Sequence, residues 1–273
     1  MSGQGLRIGA VGYLNSKPLV EDLQALIPGS SLEFELPSRL ADRMAEGEFD
    51  VGLIPVVEFL KNRFCTYLPG LAVGCRGPVL SVCVFSKVPF DQIRSISIDE
   101  GSRTSAALLR ILFHGNYWSI GNVHPLPICQ SAETVETDAV LIIGDRAMRQ
   151  KLPGFPHRLD LGEEWFRQTG LPFVFAVWAV RPGLHLAHEV IEGFQAALNC
   201  GMQSLPRLAV REAALLGKDP DLCLHYLSHH IRYDLGATEL AGLHLFQRRL
   251  DQLAIVPWRS IHEVHRLDSS CCR

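Results

Sequence analysis

The sequence predicts an α/β protein of two lobes, with a ligand cleft between the lobes and a helical C-terminal part. The first half alternates short β-rich runs with amphipathic segments, which is typical of βαβ units around parallel sheets. Two longer β-rich runs, at residues 79–86 and 173–180, bracket a middle unit of about ninety residues, the size of a small domain. Beyond Pro182 the pattern is helical throughout.

The predicted elements follow one another in three groups. In the first group, residues 6–13, 32–36 and 51–54 are strands, and residues 17–27, 38–46 and 56–62 are the helices that follow them. In the middle group, residues 93–98 and 139–143 are strands, and residues 104–113 and 146–151 are helices. The last group contains helices at residues 185–204, 207–217, 219–233 and 237–254, in which Val190, Phe194 and Leu198 recur at helical spacing.

The two bracketing strands indicate a chain that leaves one lobe, builds a second and returns. This predicts a discontinuous lobe I from residues 1–86 and 176–273, and a lobe II from residues 87–175, with a hinge at the two crossings. Such an arrangement is typical of periplasmic-binding proteins, which hold a ligand between their lobes. A single larger doubly wound domain is the alternative, because periodicity alone does not separate the two.

Composition excludes several classes of partner. The 26 basic and 29 acidic side chains give a formal net charge of -3, so nothing draws the whole surface to nucleic acid or to an anionic membrane. Residues 1–6 lack a basic leader, and the longest apolar run, residues 171–180, is too short to cross a bilayer. We therefore predict a cytoplasmic protein. Eight cysteines without C-x-x-C pairs predict free thiols rather than a disulfide framework or a metal site.

Small polar residues and glycines stand at three predicted strand-to-helix junctions, at residues 12–18, 101–105 and 144–145. Each junction delivers a helix N-terminus to the same edge of its sheet, where unpaired N–H groups favour carboxylates. The candidate substrate-binding residues there are Tyr13, Ser102, Arg103, Thr104, Ser105, Gly144 and Asp145. In the alternative interpretation, Ser16, Ser102 and Thr104 serve only as helix N-caps.

Further candidates come from side-chain chemistry. Asn15 carries donors and an acceptor at the tip of the first strand, and the Ser81 hydroxyl either satisfies local backbone or points into the cleft. Arg103 and Arg76 are candidates for binding a substrate carboxylate through two guanidinium N–H groups. Phe175 or Trp178 could flank a ring-shaped ligand.

Common cofactor motifs are not found. The glycines at positions 3, 5, 9 and 12 do not have the spacing of a dinucleotide fingerprint, and there is no Walker loop, G-x-S-x-G or H-E-x-x-H. The sequence therefore predicts no metal and no cofactor.

Several stretches, in this order and spacing, resemble the chorismate dehydratases of menaquinone biosynthesis. They are residues 8–9, 13–15 and 17–19; 49–55 with 58–60; 72–75, 77–79 and Ser81; 102–105; 141–145; and 160–165 running into 170–178. The helical tail is less diagnostic. Each motif alone is weak, but together they extend from residue 8 to about residue 180.

The resemblance implies the type II periplasmic-binding-protein fold and the conversion of chorismate, a dicarboxylate, to 3-[(1-carboxyvinyl)oxy]benzoate and water without a cofactor. It also implies functional roles for Asn15 and Ser81, which match functional positions in that family. The matched motifs offer no evident His or Glu general base, so the enolpyruvyl carboxylate of the substrate is the candidate base.

Three alternatives remain at this stage. The sister enzyme of the pathway, which splits cyclic dehypoxanthine futalosine, shares the fold, although residues 170–178 and the pattern around Ser81 favour the dehydratase. A non-catalytic carboxylate-binding protein would be expected to carry an export signal or lipid anchor. The effector lobe of a regulator would be expected to follow a DNA-binding helix-turn-helix.

Overall fold

The structure is a computed structural model that describes residues 5–61, 66–114, 122–149 and 151–253. The first lobe opens with strands that alternate with helices. Its elements are β1 (Arg7–Val11), α1 (Lys17–Val20), α2 (Leu23–Leu26), β2 (Ser31–Glu35), α3 (Pro37–Ala45), β3 (Val51–Pro55), α4 (Val56–Lys61) and β4 (Thr66–Cys75).

Three parallel strands form one side of the first sheet. β1 pairs with β2 on one edge and with β3 on the other. Every residue of β3 is buried, as is usual for a parallel strand covered on both faces. Leu40, Ala41 and Met44 form the buried face of α3, which packs on this part of the sheet.

The second lobe has its own sheet, with strand order β7-β6-β8-β5-β9. Its elements are β5 (Val82–Ser86), β6 (Ser95–Asp99), α5 (Thr104–Phe113), β7 (Asn122–Leu126), β8 (Ala139–Ile143), β9 (His157–Asp160) and α6 (Leu161–Thr169). β6 runs parallel to β7 and β8, whereas β5 is antiparallel to β8 and β9. The apolar runs of β5 and β8 are wholly buried near its centre.

The chain then returns to the first lobe. Its last elements are β10 (Phe173–Val180), α7 (His188–Gln203), α8 (Leu205–Leu216), α9 (Pro220–His225), a π-helical turn (Tyr226–His230), β11 (Arg232–Leu235) and α10 (Ala237–Gln252). β10 pairs antiparallel with β3 and β4, which gives the first sheet the order β11-β4-β10-β3-β1-β2. Two separate sheets confirm the two-lobed α/β prediction, and the single doubly wound domain is wrong.

The chain passes from one sheet to the other at earlier positions than the predicted lobe boundaries at residues 86 and 175. Val82–Ser86 pairs with the second sheet, and Phe173–Val180 with the first. The crossings are therefore residues 76–81 and the segment that contains α6. Both long β-rich runs lie inside a sheet. Their apolar pattern therefore predicts buried strands and does not give the positions of the crossings.

Several local predictions differ from the structure. The predicted helix at 17–27 is two short helices, because Asp22 adopts a left-handed conformation with φ 55°. The predicted helix at 146–151 is replaced by a 3₁₀ turn at Gly144–Arg146. The predicted helix at 219–233 ends in the π-helical turn, and Arg232–Leu235 joins the first sheet as an edge strand.

The strands that sequence analysis did not predict share weak local signals. β4 contains Pro69 and Gly70, which resemble a turn, and β7 contains Pro125 at the edge of its sheet. β9 is a four-residue edge strand. Pairing with a neighbouring strand, rather than local propensity, creates these elements.

The described helices include none that is both long enough and apolar enough to cross a membrane. Cys75, Cys83, Cys129, Cys200 and Cys223 are free thiols, of which Cys129 is exposed. Cys65, Cys271 and Cys272 lie outside the described residues.

Candidate active site between the lobes

A cleft of about 590 Å³, including its open mouth, lies between the lobes where the carboxyl ends of the strands meet. This is the edge at which open α/β sheets bind ligands, and the volume suits a small molecule. Its walls combine apolar side chains with polar groups at the strand ends. The lining residues are Val11, Tyr13, Asn15, Pro37, Leu53, Pro55, Val73, Ser81, Val82, Gly101, Ser102, Arg103, Thr104, Ser105, Ile143, Gly144, Phe175 and Ala176.

Most of the predicted site residues meet in this cleft. From residues far apart in sequence, the fold brings together Tyr13, Asn15, Ser81, Ser102, Arg103, Thr104, Ser105, Gly144 and Phe175. Asp145 is the exception. Its carboxylate accepts a hydrogen bond from the backbone N–H of Leu14 at 3.0 Å, so it holds the loop that carries Asn15 instead of lining the cleft.

Local hydrogen bonds fix the loop that carries Asn15. After β1, the 3₁₀ turn Leu14–Ser16 places the half-buried Asn15 side chain at the cleft. The Ser16 hydroxyl donates to the carbonyl of Val11 and, at 2.8 Å, to that of Tyr13. It makes no capping bond to the helix that follows, so the N-cap interpretation of Ser16 is wrong.

Ser81 follows a strained crossing between the lobes. Leu80 has φ 60°, a left-handed conformation that is uncommon for a residue with a side chain. The buried carboxylate of Asp160 accepts the backbone N–H groups of Val79 at 3.0 Å and of Leu80 at 2.7 Å. Asp160 also caps α6, so one carboxylate holds both crossings and thereby fixes Ser81.

A tyrosine from the helical tail contacts Ser81 at the end of the cleft. The hydroxyl of Tyr226, which is fully buried, donates to Ser81 Oγ at 2.8 Å. Burial raises the pKa of Tyr226. Sequence analysis missed Tyr226, because it placed residues 219–233 in one helix without a functional motif.

Gly144 permits the close approach of Tyr13. A Cβ atom at Gly144 would stand 2.8 Å from the Tyr13 ring, and the residue has φ 63°. Burial, together with the nearby carboxylates of Asp99 and Asp145, raises the pKa of Tyr13. Burial also raises the pKa of Asp99 to about 6, against the opposing charge of Arg146. Tyr13 therefore remains protonated near neutral pH.

The N-terminus of α5 faces the cleft. Ser102 Oγ is buried, and among the described residues it has no hydrogen-bond partner. The Thr104 hydroxyl instead connects the lobes, because it accepts from the N–H of Val57 at 3.3 Å and donates to the carbonyl of Phe175 at 3.2 Å. Neither hydroxyl caps α5, whose N-cap residue is Arg103, so the N-cap interpretation is wrong here too.

Arg103 is not an open carboxylate fork. Its Nη2 lies 2.7 Å from Asp42 Oδ2, and its Nη1 lies 3.6 Å from Glu58 Oε2, both in the first lobe. Its Nε is buried and unpaired among the described residues, so it can still bind a ligand. Arg76 is exposed, with its guanidinium 5.8 Å from the centre of the Phe166 ring, away from the cleft lining.

Phe175, rather than Trp178, is the aromatic residue of β10 that lines the cleft. Its ring meets that of Phe173 edge-on, with a centroid distance of 4.7 Å. Trp178 is fully buried and packs against Phe194 at 5.0 Å. Of the two candidates, only Phe175 can contact a ligand in this conformation.

The two sheets, the two chain crossings between them and the polar cleft define a two-lobed ligand-binding fold of periplasmic-binding-protein type. A structure of an Archaeoglobus fulgidus protein matches with a TM-score of 0.73 at 17% identity, over 92% of this chain and 98% of that one. The alkanesulfonate-binding protein of Xanthomonas axonopodis pv. citri, bound to MOPS, matches with a TM-score of 0.65 at 16% identity, over 94% and 95%. At these identities the comparison shows the fold.

Sequence comparison gives the family. A family profile described as menaquinone biosynthesis matches residues 6–252. The chain is 30% identical over 265 residues to a chorismate dehydratase of Thermus thermophilus, across 89% of this chain and 94% of that protein. It is 26% identical over 192 residues to a chorismate dehydratase of Campylobacter jejuni, across 68% and 72%. The protein therefore belongs to the menaquinone biosynthesis family, and the predicted resemblance is confirmed.

Proposed function

We propose that this protein is a chorismate dehydratase, a carbon–oxygen lyase that converts chorismate to 3-[(1-carboxyvinyl)oxy]benzoate and water. This reaction would be the first step of futalosine-dependent menaquinone biosynthesis. The observation that carries the proposal is the similarity to the Thermus thermophilus chorismate dehydratase over 94% of that protein's length. The convergence of Asn15 and Ser81 on one cleft supports it independently.

The cleft suits a small dicarboxylate. Backbone N–H groups at the start of α5, with the Ser102 hydroxyl, form a cradle for the ring carboxylate. Apolar side chains such as Leu53, Val73 and Phe175 cover the ring. The enolpyruvyl carboxylate then reaches the opposite end, where Asn15 and Ser81 lie.

The reaction needs few protein groups. A base takes the proton from ring carbon C3, the C–H electron pair forms the C3–C4 double bond, and the C4 hydroxyl leaves; the proton taken from C3 converts it to water. Because the ring becomes aromatic, much of the driving force belongs to the substrate, and the protein mainly positions and shields it.

The substrate itself supplies the base. The residues that line the cleft include no carboxylate and no imidazole within the described ranges, and the raised pKa of Tyr13 makes it a poor base. The enolpyruvyl carboxylate lies next to C3 and can take the proton. Asn15 holds that carboxylate, and Ser81 donates a hydrogen bond to the leaving C4 hydroxyl.

The direct test is incubation of the purified protein with chorismate, without added metal or cofactor. We expect 3-[(1-carboxyvinyl)oxy]benzoate to accumulate in proportion to enzyme, as measured by its aromatic absorbance and its mass. A heat-inactivated sample is the control. Absence of this product, while a known chorismate dehydratase turns over in the same assay, would rule the proposal out. Release of chorismate unchanged from a tight complex would instead indicate the carboxylate-binding alternative.

The unpartnered Ser102 hydroxyl gives a first prediction. Ser102→Ala should raise KM about 10-fold, because a hydrogen bond to a charged group contributes roughly 1.5–3 kcal/mol. The melting temperature should not fall, since the variant removes a buried hydroxyl that has no protein partner among the described residues.

The matched control is Ser97→Ala in the same lobe. Ser97 Oγ is buried and shares a hydrogen bond with Thr137 at 2.9 Å. Its loss should lower the melting temperature and leave KM unchanged. If Ser102→Ala behaves like this control, Ser102 has a structural role and does not contact the substrate.

A further inference from the structure

Ser81, one of the two residues proposed to act on the substrate, has a hydrogen-bond partner behind the cleft. Ser81 comes from the crossing before β5, and Tyr226 comes from the tail more than 140 residues further along. Tyr226 does not line the cleft. Any effect of Tyr226 on a ligand must therefore pass through the side chains that it contacts.

The π-helical turn places this hydroxyl. The chain changes from α9 to the π-helical turn at Tyr226, and the N–H of Ile231 bonds to the Tyr226 carbonyl at 3.2 Å, five residues back. Such turns are rare, and many occur at functional sites. With the ring fully buried, the hydroxyl cannot turn to solvent.

The hydrogen bond has a direction. Tyr226 donates its hydroxyl proton to Ser81 Oγ, so the Ser81 oxygen already accepts one bond. Among the described residues, Ser81 Oγ has no acceptor for its own proton, which is left to point to the cleft.

We propose that Tyr226 is a positioning residue that directs the Ser81 hydroxyl proton to the ligand. This inference rests on the proposed dehydratase function, since it assigns Ser81 as the donor to the leaving hydroxyl. Without Tyr226 the Ser81 hydroxyl rotates freely, and a donor that is no longer preorganised stabilises a leaving group less well.

The test is Tyr226→Phe, which keeps the buried ring and removes only the hydroxyl. We expect kcat to fall about 10-fold, the effect of losing roughly one hydrogen bond, with KM close to the parental value. In the Ser81→Ala background the same change should have no further effect on kcat, because Tyr226 acts through Ser81.

Tyr233→Phe is the matched control. Tyr233 is a buried tyrosine of the same tail, and its hydroxyl has no hydrogen-bond partner among the described residues. Its loss should leave kcat unchanged. The proposal is overturned if Tyr226→Phe matches this control, if its effect multiplies with that of Ser81→Ala, or if the variant does not fold, since Tyr226 would then have a structural role.

A second measurement separates this inference from the proposed function. In the protein without ligand, Tyr226→Phe and Ser81→Ala should each lower the melting temperature, and the double variant should lose less than the sum of the two. Additive losses would show that the hydroxyls do not interact. If the parent protein shows this coupling but does not convert chorismate, the proposed function fails while the hydrogen bond between Tyr226 and Ser81 stands.

Discussion

Asn15→Asp is expected to fold and to be nearly inactive, with kcat/KM reduced by at least about 10³-fold. The substitution keeps the size of the side chain, but it replaces N–H donors with a negative charge beside a dianionic substrate. Repulsion and the loss of the N–H donors act together, and steady-state kinetics with chorismate measures their combined effect.

The matched control for this variant is Asn122→Asp, the same change at an exposed position on the edge strand β7. It should leave kcat/KM unchanged, because residue 122 is not part of the cleft lining. A folded Asn15→Asp protein with parental kcat/KM would show that Asn15 does not touch the substrate.

Ser81→Ala is expected to reduce kcat by about 10²-fold, the usual cost of removing one donor to a developing negative charge. KM should change little, since the leaving hydroxyl carries that charge only in the transition state. The side chain is almost fully buried, and alanine leaves only a small gap in its place. We therefore expect a folded protein whose defect is in turnover.

Ser86→Ala provides the comparison on the same strand. Ser86 is fully buried at the far end of β5, and its hydroxyl donates to the carbonyl of Val88 at 2.6 Å. This variant should lose stability but retain kcat. An equal loss of kcat in both variants would mean that disturbance of β5, and not the loss of the Ser81 hydroxyl, reduces turnover.

The two lobes and most of the cleft could be predicted because their signals are local. The buried strands β1, β3, β5, β8 and β10 are continuous apolar runs, and small polar residues follow the strand ends that meet at the cleft. Parallel strands bring their carboxyl ends to one edge of their sheet, so Asn15 after β1 and Ser102 after β6 could each be placed at the binding edge of its own lobe.

The interactions that hold the cleft together could not be predicted, because they depend on residues distant in sequence. Asp160 reaches the crossing before Ser81, and Asp145 reaches the N–H of Leu14. The partners of Arg103 are in the other lobe, which is why a candidate ligand fork proved to be an inter-lobe ion pair. No periodicity or motif encodes such contacts.

Tyr226 is the clearest example of a residue whose contacts could not be predicted from the sequence. It lies within residues 219–233, which were predicted as one helix, and its side chain is fully buried. A π-helical turn in place of a further α-helical turn decides where the hydroxyl lies, and hydrophobic periodicity does not distinguish these geometries.

The most direct test of the account is a crystal structure of the protein with 3-[(1-carboxyvinyl)oxy]benzoate bound. We expect the ring carboxylate at the start of α5, about 2.7–3.2 Å from Ser102 Oγ, and the enolpyruvyl carboxylate within the same distance of Asn15, with C4 of the ring facing Ser81. A ligand bound outside the cleft, or inside it without contact to Asn15 or Ser81, would contradict the account.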